Sequence, residues 1–355
     1  MLPPTLVHLL RDNFVEAKVR GKKSFLLERQ QLYSLAEFRT QSEILGFLSD
    51  GPYGPELSRL QETSSPVEIE QAVRLGFARS VQNLLSASKG NVAEFLNEYC
   101  RRFDAYDLAT LFFYKSQGRT WEEYLPTKQP LSALTTRELH RLFSTETLED
   151  LGDRFGDDGL QSRLRGISIE EMTPDRISLI RDVFNGWGEE RFYNYVQQNL
   201  GGRDRESCLP IVGASIDLLN LSIVLRSKLL GIANVKEHFI PVQWKIRMKE
   251  LVRMLLFENL SEILDRAGSL APFRSMLSGA RQKYEESKSL AFLELAMREH
   301  VARVGREVLL KFPNSIGVVL AFLTLKENEA RNLAAVVSGV GAGLKPETIK
   351  PLLVA

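Results

Sequence analysis

Three polar pairs, each an acid followed by Asn or Asp, are the residues of this chain whose type and spacing could do chemistry. Asp104 precedes Asp107, Asp217 precedes Asn220 and Glu329 precedes Asn332, each by three residues. That spacing puts both polar groups on one face of a helix. There they could contact a ligand directly, or they could cap, pair or fix the register of packed helices. A ligand site is needed once, whereas this pattern occurs three times, which favours the structural use. Other chemistry is sparse. His8, His140, His238 and His300 lie far apart, and Glu237-His238 and Glu299-His300 are adjacent pairs, not the HExxH that puts two zinc ligands on one helix face. There is no GxSxG elbow, and neither Cys100 nor Cys208 sits in a CxxC. No catalytic, metal-binding or cofactor-binding residue is therefore assigned.

The glycine-rich run 338–343 invites comparison with a phosphate loop. A helix-like segment precedes it, and Lys345 is followed by Pro346 instead of Ser or Thr. A helix terminus with a loop fits better. Two basic clusters stand out, Lys18/Arg20/Lys22/Lys23 and Lys245/Arg247/Lys249/Arg253. Such runs are commonly solvated helix faces, and the alternatives are acidic headgroups or an acidic partner protein. Few aromatics interleave with either cluster, so nucleic acid is not expected as a partner.

The elements that must position the three pairs repeat with them. A Leu follows each pair, and a Gly falls fourteen residues after each acid: Leu108 and Gly118, Leu221 and Gly231, Leu333 and Gly343. The acids lie 113 and 112 residues apart, the mark of one folding unit used three times. The predicted division is 1–118, 119–231 and 232–355. Each motif fits a helix ended by a glycine in the left-handed cap conformation. In the second copy Asp217, Asn220, Val224 and Lys228 are expected on one face, and Leu218, Leu221, Leu225 and Leu229 on another. Short apolar helices follow, as at Leu131, Leu134, Leu139 and Leu142, and at Met248, Leu251, Leu255, Leu256, Leu260 and Ile263. A partial echo sits at the front, where 14–21 also ends at a glycine.

Helical periodicity dominates elsewhere. Val67, Ile69, Val73, Phe77, Val81, Leu84 and Leu85 recur at three- and four-residue steps behind Ser65-Pro66, a helix-start signal. Leu290, Leu293, Ala296, Met297, Val301, Val304 and Val308 do likewise. No sustained alternation bounded by turn dipeptides occurs, so the fold class is all-α.

Bulk properties agree. With 355 residues and 44% hydrophobic content, the chain can bury two or three domain-sized cores. Forty-six basic against 45 acidic side chains argue against a general polyanion binder. Two isolated cysteines suit a reducing compartment. The opening Met1-Leu2-Pro3-Pro4 lacks signal-peptide character. The apolar run 316–325 is half a membrane span, and 211–230 carries Asp217, Arg226 and Lys228, so no transmembrane segment is expected.

The ordered motifs carry a family resemblance. Residues 313–353, with 323–333 (LTLKENEARNL) and 343–349 (GLKPETI), resemble the C-terminal signature of the C subunit of archaeal-type (A/V-type) rotary ATP synthases, related to the eukaryotic vacuolar ATPase d subunit. Ala17-Lys18-Val19-Arg20 with Leu26-Leu27 resembles the opening helix. Arg101-Arg102-Phe103-Asp104 and 216–221 (IDLLNL) resemble the internal copies. The chain departs from that pattern at Ala334, where a basic residue is frequent, at Val340, where Lys is common, and at Asp107, where Asn is usual. The resemblance implies three similar helical domains forming a pseudo-threefold funnel. It implies a non-catalytic central-stalk subunit that transmits rotation between ATP handling and ion transport, peripheral on the cytoplasmic face of the cell membrane. The implied partners are the D-type central-shaft subunit, the membrane proteolipid ring and the other subunits of the rotary complex. The competing reading is a soluble all-α repeat scaffold that binds another protein or peptide in its concave face.

Overall fold

The computed structural model describes residues 15–61, 63–145, 147–164, 173–232, 235–270 and 273–354. His8, Phe14 and the opening four residues lie outside that set. Every regular element among the described residues is helical, so the chain is all-α. Six long helices dominate: α1 (Pro66–Leu85), α2 (Asn91–Ser116), α3 (Pro174–Asn199), α4 (Gly202–Leu230), α5 (Ala291–Lys311) and α6 (Ile316–Gly341). They come as consecutive pairs, each preceded by a run of short α-helices. Each link within a pair uses a left-handed residue: Gly90 (φ 57°), Gly202 (φ 48°) and Asn314 (φ 62°). These are residue types that enter that region at low cost.

Local chemistry sets the helix starts. Ser65 accepts from the Glu68 amide while the Glu68 carboxylate accepts from the Ser65 amide, and Pro66 fills the first turn. Thr40/Glu43, Thr120/Glu123, Thr135/Glu138 and Thr147/Asp150 repeat this reciprocal cap at short helices.

The chain groups into two compact units. One comprises 1–96, 201–211 and 289–355, the other 97–200 and 212–288. In the first, α6 packs along both α1 and α5, and its apolar run from Ile316 to Leu323 is wholly buried. Gly317 of α6 lies so close to Ser207 that an added Cβ would come within 2.4 Å of the serine Cβ. In the second, Leu108, Leu111, Tyr124, Leu139, Leu160 and Phe184 join one core in which α2, α3 and the short helices between them meet. There Arg102 pairs with Glu189 and lies over the rings of Tyr99 and Phe192. Arg226 and Ser222 of α4 donate to Asp182 of α3 at 3.0 and 2.6 Å.

Some expected faces shift. Val67 is 59% exposed, because it sits in the capped first turn, before the face of α1 that starts at Ile69 and continues through Val73 and Phe77. Leu256 follows its short helix and is 80% exposed. Around Asp217, α4 is buried on nearly all sides, so its polar and apolar rows are both interior and only Leu229 near its end is exposed. By length and composition alone α4 could cross a membrane, but most of it is covered by its own chain.

Close packing at Gly317 can be checked directly. Gly317→Ala should cost about 1–3 kcal/mol, since the neighbour it meets includes backbone. Gly279→Ala, in an exposed helix position with open space around the added carbon, should raise stability by about 0.5–1 kcal/mol. Urea unfolding of the three chains measures both.

Candidate functional site

The three polar pairs lie on α2, α4 and α6, and each faces an irregular segment whose backbone has no helix or strand to satisfy it. Buried N–H groups need acceptors, and here side chains supply them. In the first copy Asp104 Oδ1 accepts from the Ala133 amide (2.7 Å) and the Ser132 hydroxyl (2.9 Å), and Asp107 Oδ1 accepts from the Gln129 amide (2.7 Å). In the second copy Asp217 accepts from the amides of Lys245 (2.6 Å), Ile246 (3.1 Å) and Trp244 (3.4 Å). Asn220 grips both sides of one residue there. Its Oδ1 accepts from the Ile240 amide at 2.8 Å and its Nδ2 donates to the Ile240 carbonyl at 3.1 Å.

The third copy repeats the amide grip. Asn332 accepts from the Val354 amide at 2.9 Å and donates to the Val354 carbonyl. The gripped residue is 22, 20 and 22 positions beyond the motif residue in the three copies. The acid differs. Asp104 and Asp217 reach 27 to 29 residues downstream, whereas Glu329 Oε2 accepts from the Leu27 amide (2.6 Å), 302 positions upstream. Its Oε1 accepts from the Tyr53 hydroxyl at 2.9 Å and pairs with Lys326, whose Nζ lies 4.2 Å from the Tyr53 ring centroid. In all three copies a short helix starts soon after the clamped amides: Thr136–Phe143, Met248–Met254 and Arg29–Leu35.

Gly118, Gly231 and Gly343 follow the motif helices at φ 64°, 65° and 69°. The next amide donates five residues back in each case, from Arg119 to Tyr114, Ile232 to Ser227 and Leu344 to Gly339. Each glycine amide bonds three residues back, which completes the same C-terminal cap three times. Gly339 and Gly341 lie inside α6, where an added Cβ would strike Ile349 and Pro66 at 2.8 and 2.5 Å. Their smallness serves helix packing, not a phosphate.

Electrostatics at the site follow burial. Desolvation pushes Asp107 and Asp217 up to about 6, against the pull of the backbone amides. Burial, reinforced by Glu329, holds the Tyr53 hydroxyl well above its ordinary range. Burial also pushes the Cys100 thiol up to about 11 and Cys208 further still, the opposite of an activated nucleophile. His300 is driven down to about 4 by burial and Arg303. His238 is lowered by burial and bonds the Arg163 carbonyl through Nδ1. Among the described residues, no three His, Cys, Asp or Glu gather closely enough to hold a metal ion.

Sequence reasoning found the motif residues but missed what they hold. Leu27, Tyr53, Ile240 and Val354 carry no pattern of their own. Lys326 was within reach, since it sits one helical turn before Glu329 on the same face. Of the basic clusters, Arg20 pairs with Glu16 and Lys18 donates to the Asn83 carbonyl, while Lys245 lies over Trp244.

Glu329 does two jobs that separate by mutation. Glu329→Leu strands the buried Lys326 and should cost about 3–5 kcal/mol. Glu329→Leu with Lys326→Met should regain most of that in urea unfolding. Exchange of the Leu27 amide should stay fast in both variants, because neither offers it an acceptor.

The sequence has counterparts among known proteins. The family profile described as ATP synthase (C/AC39) subunit matches residues 15–352. The C subunit of the A-type ATP synthase of Methanocaldococcus jannaschii is 23% identical, covering 96% of this chain and 86% of the relative. That of Haloferax volcanii is 23% identical over 96% and 97%, and that of Thermococcus kodakarensis 25% identical over 95% and 89%. A match over residues 15–352 leaves one conclusion: the chain belongs to the ATP synthase (C/AC39) subunit family.

Proposed function

We propose that this chain is a non-catalytic central-stalk subunit that links the central shaft of an A/V-type ATP synthase to the membrane proteolipid ring. It transmits rotation between ATP synthesis or hydrolysis and ion transport. In this reading it lies peripherally on the cytoplasmic face of the membrane, with the D-type shaft subunit, the ring and other subunits of the complex as partners. Three helical domains, 1–118, 119–231 and 232–355, form a funnel about a pseudo-threefold axis. The polar pairs and their glycine caps set the register of each domain, and none of them contacts a ligand.

The observation that carries this reading is the Glu329–Leu27 bond. Where Asp104 and Asp217 hold the segment that opens the next repeat, Glu329 holds the segment that opens the first one. In the proposed three-domain reading, bonds of this kind would link the last repeat to the first, as a shaft socket needs. The names of the relatives support the assembly, and the raised thiols and scattered histidines support a role without bond-making chemistry.

Exposed apolar side chains recur at one end of the three motif helices: Phe113 and Leu229 in the last turns of α2 and α4, and Leu344 just past α6. Each suits contact with a partner by shape more than by a fixed ion pair. The intact chain should co-purify with the proteolipid ring and shaft from membranes and come off under mild stripping. A variant with Phe113→Asp, Leu229→Asp and Leu344→Asp should keep its helical circular dichroism yet lose at least tenfold of that association. A chain never recovered with ring or shaft would instead be a free-standing scaffold, and the proposal would fail.

A further inference from the structure

Asp107 departs from its two counterparts in a way that has a chemical consequence. Asn220 and Asn332 each make two bonds to one residue, accepting from its N–H and donating to its C=O. Asp107 makes only the first, to the Gln129 amide. Its Oδ2 is fully buried and has no hydrogen-bond partner. A carboxylate cannot donate, so the second bond of the clamp is missing as long as Asp107 is ionised. The groups facing it are few. Lys128 Nζ stands 4.0 Å from Oδ2, too far for a hydrogen bond, and donates weakly to the Gln129 carbonyl at 3.4 Å. Tyr124, whose buried hydroxyl also lacks a partner, faces it from the segment after α2. Ser132 is also near, but its hydroxyl donates to Asp104 at 2.9 Å. Asp104 itself lies one turn earlier on α2 and adds like charge. The residues equivalent to Lys128, just before the gripped ones, are Phe239 and Leu353. The cation thus occurs only in the copy that has the acid.

We propose that Asp107 is a proton-binding site: the carboxyl takes up a proton on Oδ2, becomes an Asn-like donor, and closes the clamp on the 125–134 segment. Above the titration Lys128 balances the carboxylate charge without making the missing bond. Burial is the main force favouring the neutral form, and it pushes the group up to about 6 from 3.8. The sign follows. A carboxyl raised in the folded state contributes stability that is complete below about 4 and is lost as pH rises through about 6. The second compact unit is therefore tightest in mild acid. This holds whether or not the chain sits in a rotary complex.

The test compares the full-length chain with Asp107→Asn, an uncharged clamp at every pH. Urea unfolding by circular dichroism from pH 4.5 to 8 gives the ratio of the two folding constants. The parent chain should lose about thirtyfold relative to the variant over that range, mostly below pH 6, with a flat profile above about 7. Asp217, also near 6, is present in both chains and drops out of the ratio. Lys128→Met should move the midpoint of that loss to higher pH. A ratio that does not change with pH would mean an ionised Asp107 throughout and would overturn the proposal. So would a Lys128→Met chain that is weakened equally at every pH. Carbon-13 titration of the Asp107 carboxyl in the parent chain reads the same proton without relying on either variant, and a midpoint at or below 4 would also overturn it.

Discussion

Backbone amides buried in irregular chain are the constraint on which the rest of this structure depends. Helices satisfy their own N–H groups, but the segments that leave each long helix pair and return to start the next unit do not. An unmet buried N–H costs on the order of 1–3 kcal/mol, and the connectors after α2 and α4 set two and four of them against a helix. The solution recurs with variations. The helices α2 and α4 each lend two polar side chains to the connector that follows, which then starts its next helix, whereas α6 lends Asn332 to Val354 and Glu329 to Leu27. Register is set by polar satisfaction. Apolar burial supplies the larger share of the stability but would tolerate a slip of the segment along the helix.

The choice of side chain at each motif position follows from counting donors and acceptors. The first position meets amides above all: Ala133, then Trp244, Lys245 and Ile246, then Leu27. A carboxylate offers only acceptors, up to four lone-pair sites, and fits that demand. The second position meets the N–H and the C=O of a single residue, which a carboxamide matches with its oxygen and its nitrogen. Exchanging the two types would leave a donor facing donors at one place and an acceptor facing an acceptor at the other. Glu in place of Asp in the third copy adds one methylene, and there the carboxylate serves Leu27, Tyr53 and Lys326 together.

Legibility of the chain follows the same division. Periodicity, the 113- and 112-residue spacing and the three glycines are local features, so helices and the repeated motif with its cap can be read from them. Leu27 and Tyr53 cannot, because they meet Glu329 from about 300 positions away and carry ordinary hydrophobic and aromatic identities. Ile240 and Val354 are held through their backbones, so their side chains report nothing of it. The two faces of α4 are legible as a pattern, but their shared burial is not. Hydrophobic patterning assumes a solvent side, whereas a helix enclosed on nearly all sides sets polar residues such as Asp217, Asn220 and Arg226 against buried partners.

These clamps also bear on what a part that transmits torque requires. A coupler has to return load along a path that does not creep, and apolar contacts alone permit sliding because they are non-directional. Directional bonds from a rigid helix to the start of the next unit remove that freedom at the one point where the chain has no regular structure. Stored charge would be a poorer choice for the same work, since exposed ion pairs weaken with salt. Two ion pairs that cross between long helices, Arg102 with Glu189 and Arg226 with Asp182, are largely buried, and the first is braced by aromatic rings. The proposed torque-carrying role, where it involves the motif helices, would rest on the kind of bond they make. The same bonds explain why the motif needs an acid and an amide but no reactive group.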